Sequence, residues 1–139
     1  MLKLVKALKL SFTAMANLNK KILIVEDDRD YLFILKTTFS QAGFSVAEAG
    51  NAEDGLAFLK KENPDLIILD ILLPGMSGMD MAKKMKEEGI KTPIMFLTNV
   101  SDENEISKAF QITASDYVIK SDTRVEDVVL RAKSKLGLK

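Results

Sequence analysis

The chain has 139 residues, 47% of them hydrophobic, with 20 basic and 20 acidic residues and neither His nor Cys. That is enough to bury one sizeable core but leaves little room for a second domain. It excludes disulfides, thiolate metal sites and imidazole catalysis, so any phosphohistidine in this protein's chemistry must belong to another molecule.

The opening segment holds Lys3, Lys6, Lys9 and Lys20 and no acid, which leaves the remainder mildly acidic. A mildly acidic body argues against a nucleic-acid-binding surface. No run approaches the roughly 20 apolar residues of a bilayer span, so membrane insertion is not expected, and the cysteine-free composition suits the cytoplasm. Leu4, Val5 and Leu8 face away from Lys3, Lys6 and Lys9 on a helical wheel. Residues 1–19 are therefore read as an N-terminal extension, helical or disordered, ahead of one domain over residues 20–137.

From Lys20 onward β-branched runs alternate with helical patterns. Residues 20–26 (KKILIVE), 44–49 (FSVAEA), 65–70 (DLIILD), 93–98 (PIMFLT) and 116–120 (DYVIK) are expected strands, and four of them are apolar throughout. Such runs suit strands covered on both faces. Leu32, Leu35, Phe39 and Ala42 mark a first helix, followed by Ala52, Leu56 and Leu59, then Met81, Ala82 and Met85. Ile106, Ala109 and Phe110 mark the fourth helix, and Val125, Val128, Val129, Ala132 and Leu136 the fifth. Gly43 and Gly89 read as helix stops, and Asn51, Ser101 and Asp122 or Thr123 as helix caps. The pattern predicts a (βα)5 chain, an α/β doubly wound parallel sheet of flavodoxin-like type with strand order 2-1-3-4-5.

Ligand chemistry in such sheets gathers at the carboxyl ends of the strands. Here those ends carry Glu26-Asp27-Asp28, Asp70, Thr98 and Lys120. Asp28 taken alone reads as a helix cap or a solvated loop residue, and Met76, Met79, Met81 and Met85 read as packing. Converging carboxylates repel one another in a partly desolvated cleft, and a divalent cation relieves that repulsion. All-oxygen ligation selects a hard ion, with Mg²⁺ suiting a site of few protein ligands. An Asp nucleophile, a Lys charge and a Thr hydroxyl then fit transfer of a phosphoryl group to Asp70.

The segments ILIVEDD (22–28), DLIILDILLPGMSGMD (65–80), PIMFLTN (93–99) and DYVIKSD (116–122) together resemble the receiver domain of two-component response regulators, of the single-domain, chemotaxis-regulator type. The resemblance covers about Lys20 to Leu136. It implies that Glu26 and Asp27 form the acid pair at the metal, with Asp27 the direct ligand, and that Leu72 adds its backbone carbonyl. It implies Mg²⁺ or Mn²⁺ as cofactor and Asp70 as acceptor from a phosphohistidine of a sensor histidine kinase or a histidine phosphotransfer protein. Thr98 would bond a phosphoryl oxygen, Lys120 would pair with the phosphate, and Tyr117 would be the aromatic switch.

Two residues depart from the family pattern: Ser121 stands where Pro usually follows the Lys, and Asn99 where a small residue usually follows the Thr. The expected function is a phosphorylation switch, not an enzyme beyond its own phosphorylation and dephosphorylation. Output would pass to a protein target through the face of helix 4, strand 5 and helix 5, with a homodimer on phosphorylation and no nucleic acid. No output domain is expected after Leu136, which is why a single-domain regulator is the reading. The alternative is a phosphorelay intermediate that passes the phosphoryl group to a histidine phosphotransfer protein. More remote are a phosphohydrolase, which needs a second acid to activate water, and a flavodoxin-like cofactor binder, which needs a phosphate loop or a stacking wall.

Overall fold

The structure, a computed structural model, describes residues 20–113 and 116–138. In chain order these form β1 (Lys21–Val25), α1 (Arg29–Gln41), β2 (Ser45–Ala49), α2 (Ala52–Leu59), β3 (Leu66–Leu69), α3 (Gly78–Glu87), β4 (Ile94–Thr98), α4 (Glu103–Ile112), β5 (Asp116–Ile119) and α5 (Val125–Lys135). A 3₁₀ turn, Lys120–Asp122, joins β5 to α5. The sheet is parallel with order β2-β1-β3-β4-β5, as the sequence pattern predicts. The reading of residues 1–19 as an extension lies outside the described residues.

Alternation along the strands builds two cores. Ile22, Ile24, Leu66, Ile68, Met95, Leu97 and Val118 turn to one face and pack with Leu35 and Phe39 of α1 and Val128 and Ala132 of α5. Leu23, Val25, Ile67, Leu69, Ile94 and Phe96 turn to the other and meet α2, α3 and Ala109 of α4. Each fully buried Leu or Ile contributes about 1.5 to 3 kcal/mol relative to exposure, so these two faces hold the sheet together. The central strands β1, β3 and β4 are buried almost throughout, whereas β2 and β5 are only partly covered despite the apolar sequence of β5. Both lie at sheet edges, where helices cover less of them.

Helix ends follow the local sequence signals at some positions and depart from them at others. Asn51 caps α2 by accepting from the Asp54 N–H, and Gly43 and Gly89 adopt φ of 98° and 74° just past the ends of α1 and α3. Asp28 caps α1, accepting from the Asp30 and Tyr31 amides, and Ser77 caps α3. The expected cap Ser101 is displaced by its neighbour Asp102, whose carboxylate takes the Asn104 and Glu105 amides. Neither Asp122 nor Thr123 caps α5, because the 3₁₀ turn absorbs Asp122 and leaves Arg124 at the cap without a side-chain bond. Phe110, expected in the apolar stripe of α4, is 52% exposed, since α4 presses only Ala109 fully onto the sheet.

Gly78 shows how the fold fixes the end of β3. Its N–H donates to the Ile71 carbonyl at 2.9 Å, and a Cβ there would stand 1.9 Å from the Asp70 carbonyl oxygen. That atom is backbone, so no rotamer change relieves the clash. Gly78→Ala is expected to lower unfolding free energy by more than about 2 kcal/mol in urea titration, the range of forced close contacts.

Candidate functional site

The register brings the strand ends together. Val25 pairs with Leu69, so Glu26 and Asp70 leave β1 and β3 side by side, and the Asp70 N–H donates to the Val25 carbonyl at 3.1 Å. Thr98 ends β4 opposite Ile119, and Lys120 follows directly. By the two-residue alternation, Glu26, Asp70 and Lys120 continue the sheet face that packs α1 and α5, while Thr98 continues the opposite face. Tyr117 packs on that opposite face with Phe96, ring centroids 5.9 Å apart.

Lys120 is the hub. Its Nζ donates to Asp70 Oδ2 at 2.8 Å and to Glu26 Oε1, both carboxylates being almost wholly buried. The ammonium also lies 4.8 Å from the ring centroid of Tyr31 on α1. The ion pair of Lys108 with Glu105, by contrast, is exposed and worth under about 1 kcal/mol. The buried one differs, because removing the ammonium would leave two desolvated carboxylates facing each other.

Burial pushes the Glu26 carboxyl above its ordinary range, against the opposing pull of Lys120 and of the Asp28 amide, which donates to Glu26 Oε2 at 3.1 Å. Burial alone would lower the Lys120 ammonium, but its hydrogen bonds to Asp70 and Glu26 outweigh that and raise it. Lys120 is therefore charged at neutral pH.

Asp27 is exposed, yet one carboxylate oxygen each from Glu26, Asp27 and Asp70 falls within 4.8 Å of the others. Glu26 and Asp70 share the Lys120 ammonium and Asp27 adds a third carboxylate, so the acids outnumber the ammonium bonded to them. A hard divalent cation fits that donor set and that excess. The Leu72 N–H donates to Asp70 Oδ1 at 3.3 Å, bringing the Leu72 backbone to that carboxylate, while the residue is 65% exposed.

Thr98 is fully buried, and its Oγ1 accepts from the Val100 N–H at 3.4 Å, a bond that leaves the hydroxyl proton free to donate elsewhere. The Tyr117 hydroxyl donates to the Val100 carbonyl at 2.6 Å. Val100 is thus gripped by both, a link between Thr98 and Tyr117 that sequence reasoning did not supply. Burial raises the Tyr117 hydroxyl to about 12, so it remains a donor. Tyr31 was missed as well, and its place in the first turn of α1, four residues beyond Asp27, is the only sequence signal for it.

Fold and site together define a flavodoxin-like α/β domain with an acidic, lysine-bridged pocket at the carboxyl edge of its sheet. The chain belongs to the response regulator receiver domain family, whose sequence profile matches residues 22–130. It is 32% identical over 103 residues to the alkaline phosphatase synthesis transcriptional regulatory protein PhoP of Bacillus subtilis, covering 74% of this chain and 43% of that protein. It is 34% identical over 117 residues to the transcriptional regulatory protein AfsQ1 of Streptomyces coelicolor, covering 84% of this chain and 52% of that one. The chain thus spans about half the length of the curated relatives it matches. Among solved structures, a CheY-like receiver domain protein from Methanospirillum hungatei JF-1 superposes with a TM-score of 0.79 at 28% identity, covering 85% of this chain and 94% of that one. Among the described residues no helix is long and apolar enough to cross a membrane.

The Tyr31 hydroxyl is buried without a hydrogen-bond partner, which costs stability, whereas its ring serves Lys120. Tyr31→Phe is therefore expected to unfold at equal or higher urea concentration than the native chain, by up to about 1 kcal/mol. Tyr31→Leu, which removes the ring, is expected to lose about 1 kcal/mol or more.

Proposed function

We propose that this receiver domain is a cytoplasmic phosphorylation switch in which Asp70 accepts a phosphoryl group from a phosphohistidine of a sensor histidine kinase or histidine phosphotransfer protein. The observation that carries this reading is the buried Asp70 carboxylate held 2.8 Å from the Lys120 ammonium, beside two further carboxylates. An Asp70 oxygen attacks phosphorus, the new P–O bond replaces the P–N bond, and the imidazole departs as the leaving group. Lys120 pairs with one phosphoryl oxygen and the Thr98 hydroxyl donates to another, so both groups act by position and charge. Glu26, Asp27 and Asp70, with the Leu72 carbonyl, would hold Mg²⁺ or Mn²⁺, which supplies positive charge to the phosphoryl oxygens when bound.

Output follows from the grip on Val100. As the Thr98 hydroxyl turns to the phosphoryl group, Val100 shifts and carries the hydroxyl of Tyr117 with it. α4 is held by a single fully buried residue, Ala109, so it is the helix most easily moved. Exposed Phe110 and the neighbouring face of β5 and α5 then meet a protein target or a second copy of the chain. The domain itself works through protein contacts and catalyses only its own phosphorylation and dephosphorylation.

Intact mass after incubation with acetyl phosphate tests the reading. One phosphoryl group is expected with Mg²⁺, and none in Asp70→Asn or after chelation. Uptake by Asp70→Asn at the native rate would overturn it.

The phosphorylated form is expected to be long-lived. Hydrolysis needs a water held in line with phosphorus, and the side chains two residues beyond Asp70 and Thr98 are Leu72 and Val100, which form no hydrogen bond to it. Leu72→Asn and Val100→Glu are expected to speed decay of the phosphoprotein by about tenfold or more, the scale of a well-placed polar group. The decay of the mass-shifted species after donor removal gives the rates.

A further inference from the structure

Asn99 and Ser121 follow directly on Thr98 and Lys120, and the two meet. The Ser121 backbone N–H donates to Asn99 Oδ1 at 3.0 Å. Both residues are exposed and stand 22 positions apart, so the bond ties the loop after β4 to the loop after β5. The residue next to the hydroxyl is thereby fastened to the residue next to the ammonium.

The consequence lies in the reach of Lys120. It stands at the end of β5, two places from β3 in the sheet. Neighbouring strands lie about 4.8 Å apart, so roughly 10 Å of sheet separates its root from that of Asp70. Its ammonium still arrives at 2.8 Å from Asp70 Oδ2. An arm stretched over that span depends on where its root is held, and displacements of about 1 Å in such groups cost large factors in rate. The root belongs to the 3₁₀ turn Lys120–Asp122, which has no side-chain cap bond of its own. The first amides of a helical turn lack partners inside it, and Asn99 takes one of them.

We propose that Asn99 is a positioning residue for Lys120: it latches the loop of the ammonium to the loop of the Thr98 hydroxyl and so fixes the width of the anion pocket between them. The inference rests on the proposed function only in taking Lys120 and Thr98 as the groups that receive phosphoryl oxygens. Two other roles are open to an Asn at this place, narrowing the mouth over Asp70 or donating its amide N–H to the phosphoryl group, and the test separates all three.

The full chain carries Asn99→Ala, which removes the acceptor, or Asn99→Asp, which keeps an acceptor but has no amide donor. Hydrogen exchange at the Ser121 amide needs no phosphorylation, and it is expected to quicken about tenfold in Asn99→Ala and to stay near native in Asn99→Asp. The rate of Asp70 phosphorylation by acetyl phosphate at saturating Mg²⁺ is expected to fall about fivefold or more in Asn99→Ala, with Asn99→Asp staying within about threefold of native. A rate in Asn99→Ala equal to or above native would make Asn99 an obstruction and overturn the proposal. Equal loss in both variants would make it a direct donor and also overturn it. Unchanged Ser121 exchange in Asn99→Ala would abolish the latch. A native chain that takes no phosphoryl group at all would instead sink the functional reading, with the latch still judged by the exchange data.

Discussion

Glu26 and Asp70 share the Lys120 ammonium while Asp27 stands beside them as a third carboxylate, and much of the arrangement around them follows from that imbalance. Glu26 and Asp70 are buried at the sheet edge, where water screens them poorly and an unpaired charge is costly. Lys120 covers both from the far side of β4, and the Tyr31 ring adds a third favourable surface for the same ammonium. The remaining excess of carboxylates is a donor set that a hard cation would fit. A buried ion pair of this kind is weak evidence for stability, since packed apolar groups often serve a core as well. Its presence at the mouth of a doubly wound sheet points to chemistry there.

The sheet's alternation gives the site two sides with different tasks. One side, shared with α1 and α5, carries the charged groups. The other, shared with α4, carries Thr98, Val100 and Tyr117, joined through hydrogen bonds on the two polar groups of the Val100 backbone. In the proposed switch, such a division would let a change of charge on one side be read as a change of packing on the other. In that proposal α4, with Ala109 alone among its residues fully buried, would be the element that responds.

Strand assignment was legible because four of the runs are apolar without break, which few structures other than covered parallel strands allow. Element ends were harder. Ser101 and Asp102 are both good cap residues, and the choice between them depended on which one the chain direction out of β4 brought to the first free amides. The exposure of Phe110 was hidden for a similar reason. A helical stripe gives the phase of an apolar face but not how far the sheet beneath it extends.

The sequence by itself determined the parallel five-stranded topology, the acids at the ends of β1 and β3, and the Thr and Lys at the ends of β4 and β5, because period and strand order suffice to bring those ends to one edge. Only the tertiary structure decided that Lys120 spans β4 to reach both Glu26 and Asp70, that the Tyr31 ring lies beside it, and that Val100 joins Thr98 to Tyr117. The bond between Asn99 and Ser121 belongs with these. Each such contact depends on side-chain rotamers and loop paths set by packing between segments distant in the chain, and local sequence carries no record of the distance across which they meet.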